Sequence, residues 1–180
     1  MTAMTVRTAT ARITAEEFLS HDYPVGSELI DGVVHLNDPD FRHQRLCGRA
    51  YRALLVWSDG AHGHGEVGWG GNWVLTDRHI YKPDVWWTAI PPTGTRHDGP
   101  PDLAVEVRSP GTWHHDIGVK LAEYGTAGTK ELWLVDTPAR TVLAYRAGSF
   151  DDAVEIGPGE QLTSPLLPGF ALAIDELFAE

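Results

Sequence analysis

Apolar and polar residues alternate along this chain with two distinct periods, and the places where the period changes predict an ordered series of elements. Thr14-Ala-Glu-Glu17 is a capping box that opens a short helix through Leu19. Glu28 to Leu36 reads as a hairpin about the tight turn Asp31-Gly32. From Asp40 to Ser58, Leu46, Ala50, Ala53, Leu54 and Trp57 share one stripe at helical spacing, and Asp59-Gly60 ends that helix. Glu66 to Thr76, Ile80 to Ala89 and Leu103 to Ser109 read as three strands, the last two separated by a polar loop from Pro91-Pro92 to Pro101. Asp116 to Ala127 is a second helix, stopped by Gly128. Glu131 to Asp136 is a buried strand, and Thr141 to Arg146 pairs with it as a hairpin. Pro165, Pro168 and Gly169 mark a loop before a closing turn or helix at Ile174 to Phe178.

Two carboxylates interrupt this pattern where a charge is costly to bury unless it is paired or metal-bound. In Leu103-Ala-Val-Glu-Val-Arg-Ser109 the period of two sends Leu103, Val105 and Val107 to one face, and Asp102, Ala104, Glu106 and Arg108 to the other. In Tyr81-Lys-Pro-Asp-Val-Trp-Trp87 it sets Asp84 opposite Val85 and Trp87. Asp84 and Glu106 are then expected to converge on one sheet face. Two converging carboxylates suit a hard divalent cation such as Mg2+, which takes oxygen ligands and keeps some of its waters. Lys120, in the following helix, adds a positive charge or a proton donor beside them. These parts suit metal-assisted hydrolysis of a phosphodiester.

Composition bounds the reading without changing it. A length of 180 residues, 42% hydrophobic with seven Trp, is enough for one globular domain over residues 13–180, after a frayed start at residues 1–12. Cys47 is the only cysteine, which fits a reducing cytoplasmic compartment. No run approaches a membrane span, and no signal pattern opens the chain. No internal repeat or low-complexity linker is visible. The formal net charge of −11 argues against a general DNA-coating protein, whose affinity rests on phosphate neutralisation.

The order helix, three strands, helix, strand, with Asp on the second strand and Glu on the third, resembles the core of the PD-(D/E)XK nuclease superfamily. Glu28-Leu-Ile-Asp-Gly32, His43, Lys82-Pro-Asp84, Pro101-Asp-Leu-Ala-Val-Glu-Val-Arg-Ser-Pro110, Asp116, Lys120, Tyr124, Glu131-Leu-Trp-Leu-Val-Asp136 and Leu167-Pro-Gly-Phe170 narrow the likeness. Together they are similar to the Uma-type family of restriction-endonuclease-like proteins, from about Glu16 to the C-terminus. The resemblance implies an α/β (mixed α+β) restriction-endonuclease-like core with an N-terminal and a C-terminal hairpin. It implies a catalytic set of Asp84, Glu106 and Lys120. Asp84, Glu106 and the backbone carbonyl of Val107 would hold Mg2+ or Mn2+. The superfamily's lysine, two positions after the Glu, is here Arg108, which stays protonated and cannot act as a base. The resemblance passes that role to Lys120. Glu28 or Asp102 would complete the acidic cluster, and Tyr124 would hold a ligand or phosphate.

Several residues carry two readings. Asp102 either joins the site or starts its strand and accepts turn hydrogen bonds. Glu28 either joins it or faces solvent. His43 points at the site or caps a core contact. Arg42, Arg45, Arg49 and Arg52, with Arg108, form either a phosphate-contacting set for DNA or an exposed basic face pairing with the chain's acids. His62-Gly-His64 and His114-His115 lie in loops with no cysteine nearby, which disfavours zinc. Trp69, Trp73, Trp86, Trp87 and Trp133 fit core or interface better than base stacking. Three functions follow. The first is a metal-dependent DNA endonuclease, plausible as a homodimer because double-strand cleavage needs two sites. The second is an idle nuclease fold that binds DNA or a protein partner, and the third a metallohydrolase of a small phosphoester.

Overall fold

A computed structural model describes residues 12–37, 39–108 and 113–179, with the backbone alone for 113–117. The expectation of a frayed start therefore falls almost entirely outside the described residues. Helix α1 (Ala15–Leu19) carries the anticipated capping box, with the Thr14 hydroxyl accepting from the Glu17 amide and the Glu17 carboxylate from the Thr14 amide. Strands β1 (Ser27–Ile30) and β2 (Val33–Leu36) form the hairpin. Its two turn residues, Asp31 and Gly32, take φ of 47° and 74°, the left-handed pair a two-residue turn of this kind demands. Helix α2 (Phe41–Ser58) follows, capped by Asp40, whose carboxylate accepts from the His43 amide.

Two of the three anticipated central strands are broken, each for a local reason. Glu66 to Thr76 divides into β3 (Glu66–Gly68) and β4 (Trp73–Thr76), because Gly70 and Gly71 adopt φ of 59° and 78°. Ile80 to Ala89 divides into β5 (His79–Tyr81) and β6 (Val85–Thr88) around Lys82-Pro83-Asp84. There Pro83 has no N–H for a ladder. The Pro-rich loop holds a two-residue strand, β7 (His97–Asp98), parallel to β4. Strand β8 (Leu103–Val107) is unbroken, α3 (Trp113–Ala127) starts earlier than Asp116, and β9 (Glu131–Asp136) and β10 (Thr141–Arg146) pair as expected. The tail adds β11 (Val154–Ile156), β12 (Gln161–Thr163), β13 (Ala171–Ala173) and α4 (Ile174–Leu177).

The breaks let one stretch of chain serve two sheets. A six-stranded sheet runs β11-β10-β9-β8-β6-β3, with β8 and β9 parallel and the other neighbours antiparallel. A five-stranded sheet runs β2-β1-β5-β4-β7, and β12 pairs with β13. In the larger sheet the chain order α2, then β3, β6 and β8, then α3 and β9, is the helix–three strands–helix–strand core of an α/β fold.

Alternation then sorts the core. Leu103, Val105 and Val107 join Leu46, Ala50 and Leu54 of α2 and the tail residues Leu167, Phe170 and Ile174 on one face. Ala104, Leu132 and Leu134 meet Tyr124 of α3 and Tyr81 on the other. Full burial of such side chains contributes about 1.5–3 kcal/mol each relative to exposure. Gly68 admits the Trp86 ring where a Cβ would stand. No helix among the described residues is long and apolar enough to cross a membrane.

Candidate active site

The break at Pro83 builds the site. Strand β6 pairs with β8 through Val85↔Val105, so one step further along the register Asp84 comes opposite Glu106. Asp84 does not stand in the ladder as a strand residue. Its Oδ2 accepts from the backbone N–H of Val107 at 2.7 Å and lies 3.1 Å from His43 Nε2. It therefore sits at the sheet's end, between the α2 side and β8, rather than squarely on the α3 face. Its other oxygen takes no hydrogen bond among the described residues, and the residue lines a cavity of about 570 Å³.

Glu106 alternates with Val105 and Val107 and so faces α3. Its Oε1 accepts from the Tyr124 hydroxyl at 2.8 Å and its Oε2 from Lys120 Nζ at 3.3 Å. Lys120 also reaches Glu28, at 2.9 Å to Oε2 and 3.1 Å to Oε1, and stands over the Tyr81 ring at 5.3 Å. Glu28, only 1% exposed, accepts further from the Lys82 N–H and from Asn37 Nδ2, both at 2.8 Å. The solvent-facing alternative for Glu28 is thereby excluded. Glu106, Lys120, Tyr124 and Glu28 thus form one hydrogen-bonded cluster, and Asp84 with His43 forms a neighbouring pair whose carboxylate acts on Glu106 and Lys120 through its charge.

Burial and crowding set the charges. Burial, with Asp84 and Glu28 adding to it against Lys120 and Tyr124, pushes Glu106 up to about 8. Burial opposes the charge on Lys120, but Glu106 and Glu28 outweigh it and hold the ammonium above the ordinary lysine range. Burial likewise works to lower His43, and the hydrogen bond and charge of Asp84 more than offset it, so His43 is raised. Tyr124 is raised by burial and then by Glu106 and Glu28.

Asp102 is elsewhere. It precedes β8 at the end opposite Glu106, about 13 Å away at the usual rise per strand residue. There it accepts from the Thr88 hydroxyl, the Ala89 N–H and Lys130 Nζ, the last at 2.7 Å. Burial opposes its charge, yet Lys130 and these donors hold it below the ordinary range. These contacts tie the strand start to the end of β6 and to Lys130. Arg108 pairs with Asp136 at 2.9 Å across the parallel β8–β9 register.

The basic ridge is also displaced. None of Arg42, Arg45, Arg49 and Arg52 lines the cavity holding Asp84. Arg42, Arg45 and Arg49 instead line a separate cavity of about 460 Å³ with Arg140 and Phe178. Arg42 donates to the Thr137 carbonyl, and Arg49 to the carbonyls of Leu177 and Ala179. The physical reason is helical phase: His43 and Cys47 turn one face of α2 to Asp84, which carries Arg42, Arg45 and Arg49 to the face toward the C-terminal segment.

The sequence reading missed Cys47. His43, Cys47 and Asp84 offer donor atoms within 4.8 Å of one another, the group among the described residues with metal-ligand composition. The i, i+4 spacing on α2 was the available signal. The imidazole lies between its two neighbours, Nδ1 at 3.4 Å from Cys47 Sγ and Nε2 on Asp84. Burial, reinforced by Asp84 and Glu106, pushes the thiol well above its usual range, so the thiolate a soft metal needs is disfavoured. The oxygen set of Asp84 and Glu106 fits a hard cation better. Trp73, Trp86, Trp87 and Trp133 are core residues, while Trp69 is 67% exposed. The side chains of His114 and His115 lie outside the described residues.

Known proteins share this fold. A structure described as "a putative nuclease belonging to DUF820" from Anabaena variabilis ATCC 29413 superimposes with a TM-score of 0.82 at 21% identity. The match covers 92% of this chain and 97% of that one, so the two share a fold. No curated protein sequence is detectably similar to the chain. Residues 15–175 match the family described as "Uma2: Putative restriction endonuclease", and the chain belongs to that family.

Proposed function

We propose that the protein is a metal-dependent endonuclease that hydrolyses DNA phosphodiester bonds. The observation that carries the reading is the buried Glu106–Lys120 pair of β8 and α3, with Asp84 at the adjoining strand break close enough to act on both charges. Asp84, Glu106 and the Val107 carbonyl would hold Mg2+ or Mn2+. The donor set fits: it is all oxygen, one oxygen of Asp84 is unengaged, and three carboxylates face one lysine, a surplus of negative charge that a dication relieves. When bound, the ion supplies a water of lowered pKa and neutralises charge on the phosphate.

The chain's own groups do the rest. Tyr124 and Lys120 hold the Glu106 carboxylate in place, and the Val107 N–H and His43 hold Asp84. Glu28 fixes the Lys120 ammonium, which remains protonated and so orients water and stabilises the charged phosphorus centre rather than removing a proton. Burial of this cluster lowers the effective dielectric and strengthens each of these interactions. Cys47, a free thiol, suits a reducing cytoplasmic setting.

The placement of the arginines away from the cavity favours a second reading, hydrolysis of a small phosphoester, since Lys82 is the sole Lys or Arg lining the cavity among the described residues. Nicking of supercoiled plasmid by Mg2+ or Mn2+ tests the first reading. Asp84→Ala and Glu106→Ala should abolish nicking while the variants stay folded. Cleavage that persists in excess chelator would sink the proposal. Turnover of a small diester without nicking would replace it by the second.

A further inference from the structure

The cavity beside Asp84 contains an aromatic surface that the hydrolytic cluster does not use. Trp69 is 67% exposed, yet it is not loosely held. The carbonyl of its neighbour Gly70 accepts from two buried indoles, Trp86 Nε1 at 3.0 Å and Trp73 Nε1 at 3.2 Å. The Gly70 N–H donates to the Pro83 carbonyl at 2.8 Å. Pro83 directly precedes Asp84, so the platform is fixed relative to the carboxylate. Tyr51 of α2 braces the Trp69 ring edge-on, with centroids 4.8 Å apart at 86°. An exposed indole held so firmly has already given up the rotamer freedom that binding would otherwise remove.

The rest of the cavity suits the edges of a flat polar ring and one charge. Asn72 also lines the cavity, but its Nδ2 donates to the Thr95 carbonyl and its Oδ1 is closed off from it. Gln44 contributes an amide and Lys82 a cation. At about 570 Å³ the cavity lies in the size range of small-ligand sites, not of a duplex-long groove. Duplex binding draws its affinity from many phosphate contacts, and among the described residues this cavity offers one lysine.

We propose that this cavity is a nucleobase site: Trp69 stacks one unpaired base, Gln44 meets its edge, and Lys82 meets the adjoining phosphate, next to the bond held at Asp84. The inference rests on the nuclease reading for its position and names its substrate class, an unpaired nucleotide. The base arrives either on a single strand or as a free nucleotide. Stacking on Trp69 also reconciles a net charge of −11 with nucleic acid, because it needs few cations.

Equilibrium binding in chelator, followed by fluorescence anisotropy of a labelled single-stranded oligonucleotide, tests the site without hydrolysis. Trp69→Ala should weaken binding about ten-fold or more, the usual loss when a stacking aromatic is removed. The salt dependence should keep its slope, since no phosphate contact is lost. Trp69→Phe should retain most of the affinity, which separates stacking from misfolding. An abasic strand should bind the parent as weakly as the normal strand binds Trp69→Ala. Competition by dAMP distinguishes the sources: displacement near the strand's own Kd assigns a free nucleotide, and its absence assigns a strand, both with the base on Trp69. Equal binding by parent and Trp69→Ala, or an abasic strand or duplex binding as well as the normal strand, would overturn the proposal. Those results would leave the metal-dependent nicking test of Asp84 and Glu106 standing on its own.

Discussion

Replacing Lys120 with Met removes the one positive charge between Glu28 and Glu106 while keeping an unbranched chain of similar length. At 2.9 Å from Glu28 the ammonium gains about 6 kcal/mol of Coulomb energy at an effective dielectric near 20, and Glu106, 3.3 Å away, adds about 5 kcal/mol once it ionises. Most of that is offset by the desolvation of all three groups. The net effect of deleting one partner is different, because the two carboxylates remain behind, buried and facing each other. Breaking such a buried arrangement costs about 3–5 kcal/mol. In a chain of this size that corresponds to a fall in Tm of roughly 6–20 °C.

The loss should depend on pH in a stated direction. Glu106 already holds its proton above the ordinary range, to about 8, so its contribution to stability is full at low pH and disappears as pH rises through that value. Without Lys120 the burden on Glu106 grows, and Lys120→Met should lose more at pH 8 than at pH 5. Urea unfolding in chelator at both values measures this. Adding Glu28→Gln to Lys120→Met removes the abandoned charge and should recover most of the loss. A single variant within about 1 kcal/mol of the parent at pH 8, or a double variant that recovers nothing, would refute the ion-pair account. Lost activity would then report on chemistry alone.

Other expectations follow from the same geometry. In chelator, the parent should lose stability by up to about 1.4 kcal/mol per pH unit between pH 6 and 8, because the folded state keeps a proton on Glu106 that the unfolded state has released. Urea titrations of Glu106→Gln should lose the Glu106 share of this slope and keep only the part that the raised His43 contributes. Metal binding at Asp84 and Glu106 must expel that proton, so Mn2+ should raise Tm more at pH 8 than at pH 6 and do nothing for Asp84→Ala. Gly68→Ala would drive a Cβ into the Trp86 ring and should destabilise the fold by about 1–3 kcal/mol, read by thermal melting. A homodimer, the assembly suited to cutting both strands, should give twice the 19.8 kDa chain mass by light scattering at micromolar concentration.

How much of this was legible depended on whether the signal was local. The capping box at Thr14, the Asp31-Gly32 turn and the alternation through Leu103 to Val107 are decided within a few residues, and each formed as read. The strand breaks were written in Gly70-Gly71 and Pro83, but a single apolar run hid them, and only the second sheet gives the broken halves somewhere to go. Phase on a helix was legible for the apolar stripe of α2. It was not legible for Arg42, Arg45 and Arg49, because nothing local says that the face they share meets the C-terminal segment and not Asp84. The cysteine was set aside as solitary, although four positions before it stands His43, whose ring reaches both Cys47 and Asp84.

Glu28 shows why the site itself outran the sequence. Its partner Lys120 lies 92 positions away, and hairpin alternation alone leaves a carboxylate in β1 free to face water. What turns it inward is the pairing of β1 with β5, Leu29 against Ile80, which brings the hairpin to the start of the Lys82-Pro83-Asp84 break. The lysine that the superfamily pattern places on the third strand could not have used this partner. The strand position is filled by Arg108, which reaches Asp136 on β9 instead. Moving the cation to α3 brings it over the sheet from above, where it meets Glu106 from one sheet and Glu28 from the other. The proposed active site is thus closed by both sheets, and weakening the β1–β5 contact should loosen Lys120 before it disturbs Asp84, which is held separately by Val107 and His43.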